Sequence, residues 1–203
     1  MIIISTVLVP VVLMITDIII RYVTQNELKL PKLSYQLVIV SMIAGMIIGV
    51  FYGTSSYMLL YDISLAYMFY MGFTDRYSKK LYNISYLMLI FSLFYIMAEG
   101  NVINKPLSFS VLICLALIIC AFLFGGIAGG DLKMLISLLP CIVTVGCDTD
   151  LIVNFIIFLI MAFGMEIIFC LRKGLYKRKE RVSFAEYAAA AYMLLLVFNK
   201  IWE

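Results

Sequence analysis

Gly125-Gly126-Ile127-Ala128-Gly129-Gly130-Asp131-Leu132-Lys133 separates two long apolar runs, and the way it is read decides the fold. Four glycines within six residues supply backbone that can approach a neighbour closely and take unusual dihedrals. The carboxylate that follows is costly to place near hydrocarbon. The apolar runs of this chain are ~15 to 22 residues long, the length of helices crossing a hydrocarbon layer of roughly 30 Å. They lack the strict alternation of barrel strands. The stretch therefore reads as the connection between two membrane helices, with an acid at the membrane boundary.

Composition extends that reading to the whole chain. Its 203 residues are 65% hydrophobic and 13% charged, with a mean hydropathy of +1.11. A soluble domain carries roughly 25% charged residues. The expectation is an all-α integral membrane protein forming one polytopic domain over residues 1–203, with the lipid bilayer as its first partner. The first apolar run starts at Met1 with no basic residue ahead of it and leads into Asp17 and Arg21, so it reads as a retained span and not as a removed signal peptide. There is no histidine. That absence excludes Ser-His and Cys-His nucleophiles, His-ligated zinc and haem, and the H-E-x-x-H metalloprotease. The five cysteines show no C-x-x-C spacing and read as small buried hydrophobes. Only Cys141 and Cys147 leave a disulfide open. No platform of interleaved aromatic and basic residues suggests a nucleic-acid partner.

About eight transmembrane helices are expected, at 3–22, 35–53, 56–74, 84–99, 107–125, 131–146, 151–171 and 184–200. The short connections between them leave no room for a separate extramembrane domain. Thirteen of the 15 basic residues fall on one side: Arg21, Lys29, Lys32, Arg76, Lys79, Lys80, Lys133 and the run Arg172 to Arg181. Lys105 and Lys200 fall on the other. The positive-inside rule makes the richer side cytoplasmic, which puts both termini on the outer side and requires an even number of spans. The run at 172–181 also suits anionic lipid headgroups.

Depth sorts the acids. Asp62 and Asp75 lie on one span, thirteen residues and so about 20 Å apart, too far to share a site. Asp148 and Asp150 fall in an outer loop. Asp17 shares a helix face with Arg21 and pairs with it, and Glu186 suits the start of the eighth helix. Glu166 either lines a polar cavity or is neutral and hydrogen-bonded to a neighbouring helix. Asp75 and Asp131 each sit where an apolar span meets a cytoplasmic loop. Two carboxyls brought together in a partly desolvated site share one proton, so that one accepts a proton from water while the other donates to a carbonyl oxygen. That hydrolytic chemistry needs no histidine, metal or cofactor.

The segment from Asp75 to Asn83, an aspartate with an asparagine eight residues on and a basic stretch between, resembles the first active-site motif of the type IV prepilin peptidases. Ala128-Gly129-Gly130-Asp131-Leu132-Lys133 resembles their second motif, G-x-G-D followed by an apolar residue and lysine. The resemblance runs from about residue 35 to the C-terminus. It implies a membrane aspartyl endopeptidase in the plasma membrane, with Asp75 and Asp131 catalytic at the cytoplasmic surface and Asn83, Gly129, Gly130 and Lys133 in support. Lys133 either tunes the charge at Asp131 or anchors its helix at the headgroups, and Asn83 orders its loop. The implied substrate is the single-helix precursor of a pilin-like protein, cut behind its short basic leader, for pilus assembly or protein secretion. The larger relatives carry a cysteine-rich insert after the first span and methylate their product. Here that loop runs from Arg21 to Ser34 without cysteine, which implies peptidase activity without methyltransferase activity.

Ala128 replaces the first glycine of G-x-G-D, Tyr82 stands where proline is common, and the prolines and glycine usual near Val182-Ser183-Phe184-Ala185-Glu186 are missing. A small transporter or channel subunit using Asp17, Asp62 and Glu166 at several depths is the alternative from another class. A catalytically inactive membrane assembly factor is a third.

Overall fold

A computed structural model describes residues 1–24, 30–78, 84–98, 105–123, 128–145, 151–173 and 183–202. These form eight helices and no strand. They are α1 (Ile2–Val23), α2 (Tyr35–Tyr52), α3 (Met58–Ser78), α4 (Ile84–Ala98), α5 (Lys105–Leu123), α6 (Gly129–Val143), α7 (Leu151–Lys173) and α8 (Phe184–Trp202). Four of them, α1, α2, α7 and α8, are long and apolar enough to cross a membrane. The architecture is compatible with a multi-pass membrane protein.

α3 is the helix the others surround, packing against α1, α2, α4, α6 and α8. From Leu60 to Asp75 only Ile63 and Phe69 are even partly exposed. This enclosure explains why α3 is the most polar of the long helices. Its polar side chains are enclosed by protein, and buried polar groups persist where they find partners. Tyr61 donates to the Thr144 carbonyl at 2.6 Å, and the Ser64 and Tyr192 hydroxyls pair at 2.8 Å. Tyr67 donates to Ser85 at 2.8 Å and pairs with Ser137 at 3.0 Å, and Tyr70 donates to Asp17 at 3.5 Å. Each such bond contributes about 0.5–1.5 kcal/mol net.

α1 has the opposite character. It buries one stripe, Ser5, Val9, Leu13, Asp17 and Ile20, and exposes large apolar residues such as Ile3, Val7 and Ile18 elsewhere. Its contact with α2 is close because Gly45 and Gly49 lie beneath it. A Cβ at Gly45 would collide with the Ser5 carbonyl, and one at Gly49 would sit 2.7 Å from the Ile2 Cα.

Contacts fix the helix directions. Ser5 meets Asp62 and Asp17 meets Tyr70, so α1 runs parallel to α3. Tyr61 to Thr144 and Tyr67 to Ser137 make α6 antiparallel to α3, and Ser64 to Tyr192 with Arg76 to Glu186 do the same for α8. One end of the bundle thus gathers the C-termini of α1 and α3 and the N-termini of α6 and α8. Arg21, Arg76 and Lys133 lie at that end, while Lys200 lies at the other, 5.9 Å over the Tyr52 ring.

Two of the boundaries that differ from expectation bear on the acids. α3 runs on to Ser78, so Asp75 is still helical. α6 begins at Gly129, so Gly129 and Gly130 form its first turn instead of belonging to a loop.

Candidate functional site

Asp75 lies in the last turn of α3 and is 3% exposed. Asp131 lies in the first turn of α6, half-buried, where the positive end of the helix dipole suits a carboxylate. The two bonds from Tyr61 and Tyr67 set the register between these antiparallel helices. Asp75 is eight residues past Tyr67, and Asp131 is six residues before Ser137. At about 1.5 Å per residue the two residues lie about 12 Å and about 9 Å beyond the same contact, within roughly 3 Å of the same depth.

The structure brings two further elements to Asp75. Glu166 of α7 interacts electrostatically with it. Phe163 stacks on Phe184 with ring centres 4.8 Å apart, and Phe169 meets Tyr187 at 5.6 Å, so the stretch of α7 carrying Glu166 faces the start of α8. Glu166 is not among the residues that line the cavity described below. Glu186 pairs with Arg76 at 3.2 Å, so its place at a helix start is only part of its role. Gly72 permits the approach, since a Cβ there would lie 3.2 Å from the Glu186 Cα.

Beside this cluster a cavity of about 270 Å³ opens between α2, α3 and α8. Its wall is apolar at Leu37, Val40, Phe69 and Phe73 and polar at Gln36 and Arg76. Ser183, just before α8, is buried, and its hydroxyl has no hydrogen-bond partner.

The remaining expected residues divide clearly. Gly129 is not required by crowding: a Cβ there would meet only Phe122, at 3.8 Å. Ala128 precedes the helix with φ −76°, a conformation open to any residue, so its methyl group strains no backbone. Lys133 lies 5.8 Å over the Tyr86 ring of α4. Asn83 lies outside the described residues, as do Asp148, Asp150, Cys147 and most of the basic run at 172–181. Cys141 is a buried free thiol. Asp17 pairs with Arg21 at 2.8 Å, and Arg21 also donates to the Leu30 carbonyl at 2.9 Å. Asp62 is wholly buried, accepts a bond from Ser5, and leaves Oδ2 without a partner. Among the described residues no group of three or more His, Cys, Asp or Glu is placed to hold a metal ion.

Sequence reasoning passed over Ser183, Tyr187 and the Arg76 to Glu186 pair. The pair spans 110 residues and leaves no local signal. Ser183 and Glu186 did offer one, the S-x-x-E spacing of a helix start. Comparison of the chain with protein-family models, with curated proteins and with solved structures finds no match.

Proposed function

We propose that this chain is a membrane-embedded aspartyl endopeptidase of the type IV prepilin peptidase kind, acting on pilin-like precursors at the cytoplasmic face of the plasma membrane. The observation that carries the reading is the common depth of Asp75 and Asp131, given by the α3 to α6 register. The two motifs are 56 residues apart in sequence, and nothing local brings them to one level.

In this reading all eight helices span the bilayer, and both termini face outward. Support comes from the basic residues, since Arg21, Arg76 and Lys133 share the Asp75 end. The precursor helix lies in lipid against the bundle and presents the peptide behind its basic leader to the two aspartates. The ionised aspartate takes a proton from water while the protonated one donates to the carbonyl oxygen. The hydroxide adds to the carbonyl carbon, the C–N bond breaks, and the amine leaves with a proton. Nothing in the short segment after α1 offers the cysteines of the methylating relatives, so the product is not methylated.

Co-expression with a pilin-like precursor tests this. Asp75→Asn and Asp131→Asn each abolish processing while the protein still accumulates in the membrane. Full processing by either variant sinks the pair. A second reading, a small transporter subunit, rests on one observation, the buried Asp62 with its unpartnered oxygen. It requires that Asp62→Asn be as damaging as Asp75→Asn, where the peptidase reading requires that processing survive.

A further inference from the structure

Among the described residues two buried polar side-chain atoms lack a hydrogen-bond partner, Asp62 Oδ2 and Ser183 Oγ. Ser183 lies at the Asp75 end of the bundle. It is 4% exposed and stands immediately before α8. With Glu186 it has the spacing of a capping box, in which the serine oxygen accepts from the backbone N–H three residues on and the glutamate reaches back. The hydroxyl does not do its half. Glu186 turns instead to Arg76, and Ser183 Oγ bonds to nothing. A buried hydroxyl with no partner lowers stability. Its persistence calls for a reason, and an incoming ligand group supplies one.

Register shows what that group meets. Gly72 of α3 lies against Glu186 of α8, and the two helices are antiparallel. Asp75 is three residues beyond Gly72 and Ser183 three residues before Glu186, both in the direction of the same bundle end. The hydroxyl is therefore level with Asp75. It also stands at the positive end of the α8 dipole, where the first N–H groups of a helix have no intrahelical acceptor.

We propose that the Ser183 hydroxyl donates a hydrogen bond to the carbonyl oxygen of the peptide bond that is cut, resting on the peptidase reading given above. When water adds to the carbonyl carbon, the C=O double bond becomes single and its electron pair moves to oxygen. Ser183 Oγ–H, the start of α8 and the protonated aspartate face that charge together. When the C–N bond breaks, the double bond re-forms and the amine nitrogen leaves with a proton from the aspartate. Ser183 keeps its own proton throughout and is regenerated without a further step. Donors fixed in advance where charge develops act without reorganising during the reaction.

The test uses the full chain in lipid vesicles, with a purified single-helix membrane protein carrying a short basic leader as substrate. In Ser183→Ala, kcat falls on the order of a hundredfold while KM stays close to its original value. The thermal midpoint is unchanged or higher, because an unpaired buried hydroxyl has been removed. An unchanged kcat, or a loss carried by KM alone, overturns the assignment. A lowered midpoint also overturns it, since the hydroxyl would then be a structural cap. Asp75→Asn, run beside it, separates the two ideas. If that variant still cleaves, the peptidase reading fails. If it is inactive while Ser183→Ala is fully active, only the role of Ser183 fails.

Discussion

α3 carries two buried aspartates, and their surroundings differ in almost every respect. Asp62 is 0% exposed and accepts a hydrogen bond from Ser5 of α1, in a region closed by the tight contact of α1 with Gly45 and Gly49. Asp75 is 3% exposed but has Glu166 in electrostatic reach, an ion pair one residue on at Arg76, and the first turns of α6 and α8 at its level. Burial alone therefore does not distinguish the two carboxyls. What separates the two is that helix ends and charged groups converge on Asp75, while Asp62 accepts from the neutral hydroxyl of Ser5.

The largest test of this contrast is the paired exchange Asp62→Asn against Asp75→Asn, read as processing of a precursor in the same cells. Processing is lost at 75 and kept at 62. Equal loss at both would erase the distinction and favour an ion or solute pathway along α3.

Next in size is the seal around Asp62. Gly45→Ala forces a methyl group into the Ser5 carbonyl, and overpacking of this kind costs roughly 1–3 kcal/mol. Thermal unfolding in detergent would show a lowered midpoint, and an unchanged midpoint would mean that α1 is not held as closely as its contacts imply. Ser5→Ala tests the same region from the other side. It leaves a second Asp62 oxygen without a donor, a loss of about 1–3 kcal/mol. Adding Asp62→Leu to Ser5→Ala removes the stranded carboxyl and recovers much of the midpoint. Failure to recover would place the damage in packing and not in the unpaired acid.

The contrast also explains which parts of the structure were legible in the sequence. Apolar runs set the helices that keep much of their apolar surface exposed. α1, α2 and α7 follow their expected limits closely, and Ser34 caps α2 by accepting from the Leu37 N–H at 3.2 Å. The depth of Asp62 and Asp75 along α3 was also readable, because one helix rise converts sequence separation into distance. Hydropathy said little about the helix that protein encloses, since the tyrosines and serines of α3 are matched by partners far away in sequence. Ser5 lies 57 residues from Asp62, and Glu186 lies 110 from Arg76. Gly129 and Gly130 differ from expectation for a related reason, while Gly125 and Gly126 lie outside the described residues. A glycine-rich stretch before an acid suggests a loop, yet Gly129 and Gly130 begin α6, and the close approaches occur at Gly45, Gly49 and Gly72, which have no flanking polar residues to announce them.

The smallest expected effect concerns the link between Asp75's neighbourhood and α8. The Arg76 to Glu186 pair is 3.2 Å long, but the Arg76 side chain is 63% exposed, so solvent screens it. Exposed pairs of this kind contribute about 0–1 kcal/mol. Arg76→Gln should thus leave the thermal midpoint almost unmoved. Its effect on processing is the informative quantity, because Arg76 lines the cavity beside the site and stands one residue from Asp75. If the pair merely decorates the surface, processing in Arg76→Gln and Glu186→Gln is unchanged. If it holds the first turn of α8 against α3, both variants lose rate to a similar degree, and the double variant loses no more than either alone. Additive losses would show the two residues acting separately, and the start of α8 would then be placed by Gly72 and the stack of Phe163 on Phe184.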